Sequence, residues 1–235
     1  MKLPLKISPD HIKESVIEIK YESNLPYEVL VGYIYNSLDD TYKYASHPQQ
    51  FAINAPNEIS INLGVLNLFF TDRIKLQLMP NSLIFNCIDK YIGWKDYKAE
   101  IEKTIIQITT IKEIKKFTRV GIRYISEYSE MEIINCTKFN FSFGIPQIKS
   151  DNYSFRTEFD WDNLRVVLNL KHSADSTKEI KLVSIIDIDI ISDNLNIENT
   201  EDLITKIEEN HIKEKEVFFN LLKPEYLETL NPEYE

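Results

Sequence analysis

The sequence predicts an α+β protein, mostly antiparallel sheet with three main helices. Three observations carry this. Long stretches alternate apolar and polar residues with period two, other stretches place apolar residues at helical spacing, and tight-turn residues separate the short apolar runs. With 235 residues, 43% hydrophobic and 11% aromatic, the chain can bury a sizeable core and does not read as disordered.

From Ile12 to Glu22, Ile17, Ile19 and Tyr21 alternate with Glu18, Lys20 and Glu22, the pattern of a half-buried strand. Asn24-Leu25-Pro26 then opens a helix carrying Leu30, Tyr33, Ile34 and Leu38. Residues 40–60 are polar and hold Pro48 and Pro56, so a long connection with some extended structure is expected there. Leu66 to Phe70, Ile74 to Leu78 and Leu83 to Cys87 read as a strand meander turning at Asp72-Arg73 and Pro80-Asn81. Trp94, Tyr97, Ile101, Ile105, Ile108 and Ile111 make the clearest helical stripe.

The second half opens with a strand from Phe117 to Tyr128, and the row Phe139, Phe141, Phe143 predicts another. Tyr153, Phe155, Thr157 and Phe159 share one face; Asp160-Trp161-Asp162-Asn163 turns into Leu164, Val166, Leu168 and Leu170, which together predict a hairpin. Leu182 to Ile191 is a further strand, and Glu201 to Leu222 a closing helix. The tail after Lys223 repeats Pro-Glu-Tyr at 224–226 and 232–234 and reads as a frayed acidic terminus. These elements suggest an N-terminal α+β half over 1–115, a C-terminal one over 116–223 and an acidic tail over 224–235. The halves share an order that resembles pseudo-repeated ferredoxin-like or helix-on-sheet modules.

Composition narrows the function classes. The 37 acidic residues outnumber 27 basic ones, and the net charge of −10 opposes a phosphate backbone; no basic stripe reverses it. Five glycines assemble neither a phosphate-cradling loop nor a dinucleotide fingerprint. Cys87 and Cys136 lack partners at zinc or disulfide-framework spacing and read as ordinary core thiols. The apolar run at Val183 to Ile191 is short and broken by Asp187 and Asp189, and the first residues have no apolar signal core, so no membrane association is expected and cytosol is the default. No nucleophile elbow or local base signature supports nucleophilic catalysis, and no cofactor is implied.

Several segments together resemble a sporadically distributed family of uncharacterised bacterial proteins. They are Pro9, Ile12, Glu14 and Glu18-Ile19; Tyr91-Ile92-Gly93-Trp94; Arg119-Val120-Gly121-Ile122-Arg123-Tyr124-Ile125; Asp187-Ile188-Asp189; and His211 before Phe218-Phe219. The resemblance implies no activity or cofactor. Its sporadic distribution implies a link to defence or mobile-element genes.

Three constellations could carry chemistry. Alternation puts Arg119, Gly121 and Arg123 on one strand face: two guanidiniums beside a bare backbone could grip an anionic or nucleotide-like ligand, while cross-strand pairing with acids such as Glu14 and Glu18 is the favoured reading. Asp187 and Asp189 share a face and could hold Mg²⁺ or Ca²⁺, although two acids fall short of a site. His211 lies near the apolar stripe of the last helix, where a hydrogen-bonded, partly buried imidazole is expected. The paired aromatics read as core. The leading expectation is a non-catalytic protein-binding or regulatory protein whose partner is another protein; the rival is an enzyme or sensor using Arg119 and Arg123. The sequence leaves the oligomeric state open.

The charge balance generates a first test. In a mobility-shift titration at physiological salt, random duplex DNA is expected to stay unshifted; a shift that survives added salt would contradict the electrostatic argument.

Overall fold

Among the described residues, period-two alternation and tight turns build nine strands, and five helices interrupt them. The computed structural model describes residues 2–53, 59–129, 131–141, 152–175 and 181–234, without the side chains of 48–53, 59–64, 174–175 and 181–182. In chain order the elements are β1 (Ile12–Ser23), α1 (Tyr27–Ser37), β2 (Lys43–Ile53), β3 (Ile59–Phe70), β4 (Ile74–Met79), β5 (Ser82–Cys87), α2 (Trp94–Ile108) and β6 (Ile114–Ser129). Then follow α3 (Ile133–Cys136), β7 (Asn152–Trp161), β8 (Leu164–Asp175), β9 (Lys181–Ser192), α4 (Thr200–Leu221) and α5 (Pro224–Thr229). The hydrogen-bonded strand order is β2-β3-β4-β5-β1-β6-β9-β8-β7, an antiparallel open sheet, so the protein is α+β with three long helices and two short ones.

The chain folds as two compact units that do not follow a single cut after residue 115. One takes Val16–Val120 and Asn194–Thr205; the other takes Met1–Ser15, Gly121–Asp193 and Lys206–Glu235. The physical reason is that β1 and β6 are long enough for each to contribute one stretch to either unit.

In the first unit Ile17, Ile19 and Tyr21 of β1, Ile74, Leu76 and Leu78 of β4, and Leu83 and Phe85 of β5 are buried together with Leu30 and Ile34 of α1 and Tyr97, Ile101, Ile105 and Ile108 of α2. Met79 pairs with Ser82, so Pro80-Asn81 is a two-residue turn as expected. Residues 40–60, expected as a long connection with some extended structure, hold two regular strands, β2 and the start of β3, paired from Lys43↔Phe70 to Ile53↔Ile59. Pro48 is compatible with a strand here because β2 is last in the order and one side of its backbone needs no ladder partner. Pro56 lies outside the described residues.

In the second unit one apolar face of β8 and β9 (Val166, Leu168, Leu170, Ile186, Ile188, Ile190) packs with Tyr128 of β6 and with Val217, Phe218 and Leu222 at the end of α4. The β7–β8 hairpin turns at Asp162-Asn163, whose φ values of 50° and 63° suit the short polar residues placed there. Asn199 caps α4, accepting a 2.8 Å hydrogen bond from the Asp202 backbone N–H. Two expectations fail in this unit. Phe139 and Phe141 form no strand; their rings pack instead against Phe155 and Tyr153, while Phe143 lies outside the described residues. The tail is docked rather than frayed: Leu227 and Leu230 are buried, and Glu233 exchanges backbone hydrogen bonds with the Leu5–Lys6 stretch. Spaced apolar residues, Tyr226, Leu227 and Leu230, supply the surface that holds it.

Glu214, on α4, is buried, and burial pushes its carboxyl up to about 8, with Lys215 drawing it down slightly. Between the carboxyl's usual value near 4.5 and about 8, the folded state holds a proton that the unfolded chain has released. Stability therefore falls as pH rises through that window. Glu214→Gln should remove this slope: the variant is expected to melt higher than the wild type at pH 8 and equally at pH 4, and parallel melting curves at both pH values would exclude a buried proton.

Candidate functional site

The central strands carry their charges on the face opposite the apolar one, and those charges find partners within their own unit. In the second unit the Arg123 guanidinium donates to Asp187 through two parallel hydrogen bonds, Nε to Oδ1 at 2.7 Å and Nη2 to Oδ2 at 2.8 Å. Asn169 Nδ2 on β8 donates to the same Oδ2 at 3.0 Å. Asp187 is only 6% exposed, so three donors serve a carboxylate with little access to water. The Asp187 hydrogen bonds hold Arg123 above the ordinary arginine value, and the charges of Asp187, Asp189 and Glu14 act in the same direction. Glu14 therefore belongs to the surroundings of Arg123 without replacing Asp187 as its partner.

In the first unit Arg119 Nε lies 3.6 Å from Glu18 Oε2, with both side chains mostly covered. Gly121, between the two arginines in sequence, is buried in β6. The fork to Asp187 takes Nε and one hydrogen of Nη2, so that edge of the Arg123 guanidinium is closed to a second anion. Asp187 itself is committed to Arg123 and Asn169, and among the described residues no group of three or more His, Cys, Asp or Glu is placed to hold a metal ion. Asp189 on the same strand is half-buried.

His211 is buried on α4, its Nδ1 3.3 Å from the Tyr124 hydroxyl. A second buried histidine, His172, lies with Nδ1 2.7 Å from Ser184 Oγ; because Ser184 donates its own hydrogen to the Met131 carbonyl, His172 is the donor. Cys87 and Cys136 are reduced thiols, half-buried, and burial pushes the Cys136 thiol up, away from the reactive thiolate.

No family model and no curated protein matches the chain.

The second unit presents a groove of about 330 Å³ lined by Phe159 and Trp161 of β7, Leu168 of β8, Val217 and Leu221 of α4, and Phe139. None of the arginines, aspartates or His211 lines it. Trp161 is braced by Lys213, whose Nζ sits 4.8 Å from the ring centroid and also bonds Asp162 and Glu216. Beside the groove, Phe155 and Phe159, which the sequence places on one strand face, are 38% and 41% exposed. The signal that separates them from core is position: β7 is the last strand in the order, so half of its aromatic face lacks a neighbouring strand among the described residues. Among those residues, no helix is long and apolar enough to cross a membrane.

The ion pairs differ in what their loss exposes. Arg123→Ala leaves the buried Asp187 carboxylate with Asn169 alone, and a loss of about 1–3 kcal/mol is expected in urea unfolding. Arg119→Ala removes the longer contact to Glu18, and a smaller loss, below about 1 kcal/mol, is expected. Equal losses, or none at Arg123, would show that the fork does not carry stability.

Proposed function

We propose that this chain is a non-catalytic protein-binding module of the cytosol that receives its partner along β7, in the defence- or mobile-element-linked setting that the sequence resemblance implies. One observation carries the reading. Among the described residues β7 is a terminal strand with no strand on its outer side, and it exposes two phenylalanines beside an apolar groove. Main-chain pairing with an added strand supplies affinity, and alternate side chains entering a groove supply selectivity. Unpaired strand edges are otherwise sites that proteins protect. The net charge of −10 favours a partner surface other than nucleic acid.

Phe159→Lys places an ammonium at the groove and should abolish recovery of the bound protein on purification from the native host, while leaving the melting temperature unchanged. Binding that survives this variant, or turnover of a phosphorylated or nucleotide-like compound that depends on Arg123, would overturn the proposal.

A further inference from the structure

We infer that the occupant of the β7 edge is a second copy of this chain, paired antiparallel through a two-fold axis at Thr157; the inference rests on the protein-binding reading and names the partner. The register of β7 selects this partner. Along β7 the residues Tyr153, Phe155, Thr157, Phe159 and Trp161 share the face of Val166, Leu168 and Leu170 on β8, while Ser154, Arg156, Glu158 and Asp160 share the opposite face with Asn169 and Arg165. An axis through Thr157 sets Arg156 of one copy opposite Glu158 of the other, twice over by symmetry. It also sets Phe155 opposite Phe159, and Tyr153 opposite Trp161, on the apolar face.

Neighbouring registers lose this match. Moving the axis to Arg156 or to Glu158 places that charge against itself, and moving it to Phe159 sets Glu158 opposite Asp160. An axis falling between residues turns the aromatic face of one copy toward the polar face of the other. In the Thr157 register the second copy's Phe155 and Tyr153 arrive beside Phe159 and Trp161, at the mouth of the groove that Val217 and Leu221 floor. The exposure of Phe155 and Phe159 is thereby removed from water. Within one copy Arg156 and Glu158 pair with each other in the open, both about half exposed, so exchanging partners across the axis costs little.

The test is sedimentation equilibrium of the full chain across the micromolar range, with a charge swap. The wild type is expected to run at twice the chain mass. Arg156→Glu and Glu158→Arg each set like charges opposite one another, and each should weaken dimerisation at least tenfold with unchanged melting of the diluted monomer. The double variant Arg156→Glu/Glu158→Arg restores both pairs and should return to within about threefold of the wild type. A wild type that stays monomeric, or a dimer indifferent to all three variants, overturns the inference. If that monomer still binds another protein in a manner lost with Phe159→Lys, the binding reading stands without self-pairing; if it binds none through β7, both fall.

Discussion

The fork between Arg123 and Asp187 sets the register of the second unit's strands. It links β6 to β9, and Asn169 extends it to β8, so three consecutive strands are held at one level by a single carboxylate. Alternation makes that level matter. Ile186, Ile188 and Ile190 flank Asp187 and Asp189 and are buried with Phe218 and Leu222, and a slip of one residue would turn the aspartates into that core. A partnered carboxylate on one face therefore protects an apolar face it never touches. Removing its guanidinium would leave a nearly buried charge, which explains why an arginine sits at the centre of a strand otherwise rich in apolar residues.

The same economy governs the buried polar groups around α4. Ser192 donates to Asn210, His172 donates to Ser184, and Ser184 to the Met131 carbonyl. His211 meets Tyr124. These side chains join strand, loop and helix, and their hydrogen-bonding capacity is turned inward. The charges on exposed faces mostly form local pairs of the kind that add little stability: Lys206 with Glu209, Arg165 with Asp193, Arg156 with Glu158.

Much of the fold was legible because local patterns dictated it. β1, the β4–β5 turn at Pro80-Asn81, the α2 stripe and the Asp162-Asn163 hairpin all follow from residues within a few positions of one another. Elements that depend on tertiary context were not. β2 was hidden because Pro48 argues against a strand unless the strand lies at an edge, and edge position is not encoded locally. The row Phe139, Phe141, Phe143 imitates strand period, yet Phe139 and Phe141 pack on β7 from an irregular segment. Among the candidate residues, alternation correctly suggested that the arginines face acids. Of the acids it offered, Glu14 and Glu18, Glu18 meets Arg119, but Arg123 pairs with Asp187, which alternation within one strand does not relate to it. The groove was invisible for the same reason: Phe139, Trp161 and Leu221 meet only once β7, α4 and the segment after α3 are placed.

The two terminal strands differ in how their open sides are defended. β2 carries Pro48, which has no N–H to offer an incoming strand, and proline is among the residues that keep sheet edges from pairing. β7 has no proline between Asn152 and Trp161, and its charges, Arg156, Glu158 and Asp160, are of mixed sign. An edge guarded by one sign of charge repels a copy of itself; one that alternates sign about its midpoint repels most sequences and accepts the reversed copy of its own. With aromatic residues at every second position on the other face except Thr157, the centre of β7 is small and uncharged where two symmetry-related strands would meet closest. Among the described residues the two edges therefore differ in kind: β2 lacks a backbone donor at Pro48, whereas β7 keeps its donors and sets opposite charges on either side of Thr157.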